Sequence, residues 1–286
     1  MKQKLIGLSL MMGVMLMSIS CSNNEAPNES EDYLITISTP EGDMKAILFD
    51  ETPLHKKNFI ELAKAGKYDG NIWHRVIEGF MIQGGDIYRG TEEQEPADGK
   101  IPAEIIPGFF HKKGAIAAAR QGDQINPKKM SSSCQFYVVQ GSPYEELTCD
   151  QFTLNNKMSE LLGRPEFGDL LAEFQELAAK RDNRGMNQLA LENRELVEEE
   201  FGIDLYKPLP PDADAAYKGT SGTPGLDGQY TVFGQVLEGF DVIDKIAAVN
   251  TVGPPTDTPV EDITLSVSVE TVTKAEITEK YGYQYK

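Results

Sequence analysis

The chain has 286 residues, 40% of them hydrophobic, with 27 Lys and Arg against 45 Asp and Glu and a formal charge of −18. That length can bury one sizeable core plus an appended unit, and the composition is that of a globular protein, not a fibrous or disordered one. The acidity argues against a nucleic-acid binder, three cysteines cannot build a disulfide framework, and no long apolar stretch beyond the N-terminus suits a multi-span membrane protein.

Lys2 and Lys4 precede an uncharged, Leu/Met/Ile-rich stretch from Leu5 to Ser20. A positive start and a short apolar segment predict a signal peptide over residues 1–20, too short for a membrane span. The segment ends in Ser18-Ile19-Ser20-Cys21, which resembles a bacterial lipobox with serine where leucine is usual. That resemblance implies a diacylglyceryl group on Cys21, a polar tether over 21–32 and attachment to a membrane of the bacterial cell envelope, on its periplasmic side or at the cell surface. Removing Lys2 and Lys4 with the signal takes the formal charge from −18 to −20.

From Tyr33 the pattern turns to strands. Tyr33–Thr39 and Met44–Phe49 flank the turn signal Pro40-Glu-Gly-Asp43 and read as a hairpin. Thr52 and Pro53 predict a helix start, Leu54, Phe59, Leu62 and Ala63 its apolar stripe, and Gly66 its end. Strand-like runs follow at Ile72–Ile77, Phe80–Gln83, Gly114–Ala119, Gln135–Gln140 and Tyr230–Val236, then a helical Val242–Ala248 and a last strand, Ile263–Val272. Residues 33–140 and 224–275 thus predict a mostly β unit, a closed antiparallel barrel capped by two helices. Between them, 141–223 holds 17 acidic and 8 basic side chains, with apolar residues at helical spacing (Phe167, Leu170, Leu171, Phe174, Leu177) broken at Gly163 and Asp182. It predicts an inserted α-helical subdomain of two or three helices, and 276–286 reads as a tail.

Familiar catalytic machinery is missing from the sequence. His55, His74 and His111 have no histidine or cysteine at ligand spacing, so no metal is expected, and no cofactor motif appears. Cys134 lacks the surroundings of a catalytic thiol. What stands out is Trp73-His-Arg-Val-Ile-Glu-Gly-Phe-Met-Ile-Gln-Gly-Gly-Asp86, in which alternation sets Met81 and Gln83 on one strand face, near a fixed cation, Arg75.

This run closely resembles the signature of the cyclophilin-type peptidyl-prolyl cis-trans isomerases. Gly114–Ala119, Gln135-Phe-Tyr-Val138 and Leu226-Asp-Gly through Val232-Phe-Gly234 resemble further family segments in the same order. The resemblance implies a cyclophilin-like barrel and rotation about X–Pro bonds, in peptides or unfolded exported proteins, without cofactor or metal. It implies catalytic roles for Arg75 and Gln83, and substrate-binding roles for Phe80, Met81, Ala119, Arg120, Gln135, Tyr137, Leu226 and Tyr230. Gly225 stands where many members carry a tryptophan that helps hold cyclosporin, so weak cyclosporin binding is expected. The alternative is a non-catalytic peptide-binding or chaperone module using the same groove and the helical insertion. Beyond the resemblance, Cys134 and Cys149 are a possible disulfide in an oxidising compartment, and His74 reads as a packed structural histidine.

Overall fold

The computed structural model describes residues 28–96, 99–180 and 182–285, so the expected signal segment and Cys21 lie outside the described residues. The chain begins with β1 (Glu31–Thr39), β2 (Gly42–Leu48), α1 (Pro53–Lys64), β3 (Asn71–Ile72), β4 (Arg75–Ile77), β5 (Met81–Gly84), β6 (Ala115–Ala118) and β7 (Phe136–Val139). The inserted segment supplies β8 (Ser142–Pro143), α2 (Tyr144–Leu147), α3 (Gln151–Leu162), α4 (Gly168–Ala179), α5 (Asn183–Glu192), α6 (Arg194–Phe201), α7 (Pro211–Tyr217) and β9 (Ser221–Gly222). The chain then returns through β10 (Val232–Glu238), α8 (Phe240–Ala247), β11 (Thr264–Thr273) and α9 (Lys274–Tyr281).

Nine strands form one curled antiparallel sheet in the order β3-β11-β1-β2-β10-β6-β7-β5-β4. It is a half-barrel in place of the expected closed barrel. The edge strands β3 and β4 are consecutive in the chain, and Trp73 and His74 cross between them without a ladder. The run Ile72–Ile77, read as one strand, therefore breaks at Trp73. Its backbone N–H donates to Ile263 O (3.0 Å) while its ring is fully buried against Phe136. Burying an aromatic surface of ~150–250 Å² contributes roughly 4–6 kcal/mol, which outweighs the ~1–3 kcal/mol cost of the indole N–H that has no partner there.

Inside the curl, Ile35, Ile37, Leu48, Ile82, Ile116 and Val138 form the main core, which α1 and α8 cover with Phe59, Ala63, Val242 and Ile246. The stripe of α1 differs from the sequence reading: His55 and Ile60 are buried, and Leu54 is about half exposed. Thr52 makes no side-chain cap. Instead the Glu104 carboxylate accepts the Leu54 and His55 N–H groups, each at 3.0 Å, and the His55 Nδ1 at 2.6 Å. A negative charge at a helix N-terminus satisfies its orphan donors and opposes the macrodipole.

The inserted segment is closed at its neck by β8 and β9, with Ser142 opposite Gly222. Among the described residues it contains six α-helices, more than the two or three read from the sequence, around a cluster of its own that includes Leu154, Met158, Leu161, Ala190, Val197 and Leu205. The sequence breaks fall where expected: Gly163 ends α3, and Asp182 caps α5 by accepting the Gly185 N–H at 2.7 Å. Cys149 lies in this cluster, whereas Cys134 borders β7; both are buried free thiols, so the disulfide considered from sequence is not formed. The residues set apart as a tail are largely helical, since Thr273 and Glu276 build a capping box for α9 and Ile277 is buried.

Burial lowers the pKa of His55 from 6.5, offset only in part by Glu104, and burial lowers that of His74 as well. The unfolded histidines take up protons as pH falls through about 6.5, while the folded ones resist until lower pH. Stability present above 6.5 is therefore lost on acidification toward the folded values, by up to about 1.4 kcal/mol per pH unit per proton. Urea denaturation at stepped pH should show this fall, with a shallower slope in His55→Asn; equal slopes would contradict the assignment.

Candidate functional site

The strands β4–β7 bury both faces. Val76, Ile82, Ile116, Ala118, Phe136 and Val138 enter the main core, while Met81, Ala115, Ala117, Tyr137 and Val139 form a second cluster on the outer face with Val232. The ladders pair Arg75 with Gln83, Gln83 with Tyr137, Tyr137 with Ala117, and Ala117 with Val232. Register alone thus sets a cation, an amide and a phenol in one row across the outer face. Gly85 shapes the strand's exit: its φ is +80°, and a Cβ there would stand 2.6 Å from Cys134 O and 2.7 Å from the Phe136 ring.

Over this row lies a cavity of about 250 Å³ lined by Arg75, Phe80, Met81, Gln83, Ala119, Arg120, Tyr137, Leu226 and Tyr230. Of the ten residues named from sequence as catalytic or substrate-binding, nine line it. The tenth, Gln135, accepts a hydrogen bond from Gln83 Nε2 at 3.0 Å and so fixes which end of that amide is free. Arg75 is 38% exposed, with Asp257 Oδ2 at 3.8 Å from Nε and no hydrogen bond to its terminal nitrogens among the described residues. Arg120 differs sharply. It is 4% exposed, donates to Gln229 O, Gln121 O and Asp123, and lies 4.4 Å from the Tyr230 ring centroid, so it props the cavity wall and has little freedom left.

Sequence reasoning missed the support behind Tyr137. Its hydroxyl lies 3.0 Å from His111 Nε2, and His111 Nδ1 lies 2.9 Å from Asp227 Oδ1, which also accepts the His111 backbone N–H. The other oxygen of Asp227 accepts the Tyr217 hydroxyl at 2.8 Å, and Tyr217 belongs to α7. A Cβ at Gly222 would collide with the Tyr217 ring, so the neck of the insertion closes only around a glycine. The signal was the placement of His111 and Asp227 beside the two pocket-forming segments, although nothing in their spacing marked them as partners. Burial pushes the Tyr137 phenol far up, so it stays protonated across the neutral range.

A second arrangement imitates a hydrolytic triad: Ser131 Oγ lies 2.8 Å from His55 Nε2, whose Nδ1 meets Glu104. Ser131 is 1% exposed, so no substrate reaches its hydroxyl, and the trio serves the start of α1. Among the described residues, no group of three His, Cys, Asp or Glu side chains is placed to hold a metal ion.

A hydrogen bond to a charged group is worth about 1.5–3 kcal/mol, and the Asp227 carboxylate is only 20% exposed. Tyr217→Phe should lower the unfolding free energy by that order. A double-mutant cycle with Asp227→Asn should show coupling above about 1 kcal/mol in urea denaturation, and additive losses would break the proposed link.

The family model for the cyclophilin type peptidyl-prolyl cis-trans isomerases matches residues 34–153 and 200–269, passing over most of the inserted helices. A Staphylococcus haemolyticus chain provisionally named a peptidyl-prolyl cis-trans isomerase is 31% identical over 245 residues, covering 85% of this chain and 93% of that one. A Streptococcus pyogenes serotype M6 chain provisionally named a bifunctional phosphatase/peptidyl-prolyl cis-trans isomerase is 32% identical over 235 residues, and the match spans only 37% of its length. Among solved structures, a Cryptosporidium parvum cyclophilin type isomerase crystallised in the presence of the dipeptide Ala-Pro is similar at a TM-score of 0.49 and 18% identity, covering 83% of this chain and 98% of that one. With its signature run placed across strands β4 and β5 and the family model matching well over half its length, the chain belongs to the cyclophilin-type peptidyl-prolyl cis-trans isomerase family.

Proposed function

We propose that the cavity binds a proline ring and that Arg75 catalyses rotation about the preceding peptide bond. The observation that carries this reading is the Arg75 guanidinium, without an internal hydrogen bond among the described residues, at a cavity whose apolar walls include Phe80, Met81, Tyr137 and Leu226. Amide resonance sets a barrier of ~18–20 kcal/mol to that rotation. As the bond twists, the proline nitrogen loses resonance and becomes pyramidal. A donor held against that nitrogen stabilises the twisted form more than either planar one. The step needs no proton transfer, and none of the lining side chains is a carboxylate or histidine. A rate gain of about 10⁵ corresponds to roughly 7 kcal/mol of differential binding, which a fixed cation, covered by the bound substrate, and a shaped apolar wall can supply. Gln83, tied by its NH₂ to Gln135, keeps its carbonyl oxygen for the substrate backbone.

The test is the cis–trans relaxation of a proline-containing tetrapeptide. Arg75→Ala should lower kcat/KM by about 10²–10³, and equal rates would leave only the non-catalytic peptide-binding reading. In the same assay cyclosporin should inhibit weakly. A Cβ built at Gly225, next to the cavity residue Leu226, meets nothing within 4 Å, so no neighbouring side chain takes the place of a tryptophan there, and inhibition at nanomolar drug would overturn this. The proposal extends to the place of action: a lipid on Cys21 would hold the domain on a tether at the cell envelope, where exported chains fold, supported by the charge pattern and lipobox-like end of residues 1–21. Cys21→Ser should move the protein out of the membrane fraction, and an unchanged distribution would count against the anchor.

A further inference from the structure

A second cavity, of about 430 Å³, opens between the half-barrel and the inserted helices. On one side it is lined by Glu78 and Gly79, the turn from β4 into β5; on the other by Ser142, Glu146 and the first turns of α5. Gly79 is followed directly by Phe80, a wall of the proline cavity, and consecutive Cα atoms stand only ~3.8 Å apart. At its far end Asn187 lines both this cleft and an apolar groove of about 480 Å³ that holds Met158, Leu162, Phe174 and Met186. The helix α5 falls in the stretch, 154–199, that the family match passes over. One wall of the cleft is therefore built by a stretch outside the family match.

Its charges are unequal. Glu78, Glu146 and Asp182 face one cation, Arg184, which spans the cleft to Glu78 at 3.3 Å with both side chains nearly half exposed. Glu146 has no ion pair or hydrogen bond from its side chain among the described residues, whereas the single guanidinium is already engaged. An exposed pair of this kind is worth no more than a surface salt bridge, so an incoming ammonium or guanidinium can take Glu78 from Arg184 at little cost.

We propose that this cleft receives the polypeptide flanking the substrate proline and prefers a lysine or arginine about two to four residues from it. The inference rests on the isomerase reading of the neighbouring cavity. The cleft's place next to that cavity, with Gly79 preceding Phe80, and the Asn187 it shares with the apolar groove favour an extended chain over a small molecule as the occupant.

The full chain should be assayed on paired proline peptides carrying Lys or Glu at two, three or four positions to either side. Binding of the same labelled peptides should be followed in parallel by fluorescence anisotropy. On one side of the proline, Lys should be preferred roughly three- to fivefold at low salt, with the preference collapsing near 1 M salt. Glu146→Gln should shrink the preference and Arg184→Ala should enlarge it, opposite changes that misfolding cannot produce together. Equal handling of Lys and Glu at every position, by a chain that turns over a short tetrapeptide, would overturn the cleft and spare the isomerase. A chain inert on all peptides that still binds the Lys series more tightly would uphold the cleft and sink the isomerase.

Discussion

The structure depends on strands that must bury two faces. In β5, β6 and β7 every side chain is withdrawn from water to some degree, alternate residues falling to the interior of the curl and to the cluster outside it. A slip of one residue would exchange the two sets. It would carry Phe136 and Val138 outward and Tyr137 inward, and the row from Arg75 to Val232 would scatter. The register that holds the core together is thus the same register that aligns the candidate catalytic groups. Packing and chemistry have a single origin here.

The outer face is completed by loops that arrive from distant parts of the chain. Asp227 is the junction. One of its oxygens holds His111 by backbone and ring, and the other takes the Tyr217 hydroxyl. Through His111 the same carboxylate steadies Tyr137, and its neighbour Leu226 lines the cavity. Arg120 does comparable work on the opposite wall, locked to Gln229 O and stacked on Tyr230. Arg75, by contrast, is left with a single distant carboxylate. One cation supports the wall and the other remains available, a difference that a list of charged residues could not reveal.

Much of this was legible in the sequence because it is local or periodic. Alternation located the strands, the Pro40–Asp43 turn gave the first hairpin, and the signature run placed Arg75, Phe80, Met81 and Gln83 in one pocket. What escaped was non-local. The acceptor for the first turn of α1 is Glu104, some fifty residues beyond it, and Thr52, the local candidate, donates instead to Phe49 O. The partnership of His111 with Asp227 spans a separation of 116 residues with no motif to announce it. Only the end of helix α3, at Gly163, was legible; its apolar stripe was not, because its buried residues, Leu154, Met158 and Leu161, are few and set among polar ones. Whether the sheet closes could not be read either, since that turns on how the chain crosses at Trp73.

The closed neck gives the inserted segment a consequence of its own. Were 141–223 cut away and the ends rejoined, Asp227 would keep its histidine but surrender its phenol, leaving one oxygen of a half-sheltered acid to find water. Phe110, which packs edge-on against Tyr217, would lose its cover as well. The embellishment is thus tied into its host: trimming it away would uncover a carboxylate oxygen and an aromatic ring that now lean on the same tyrosine.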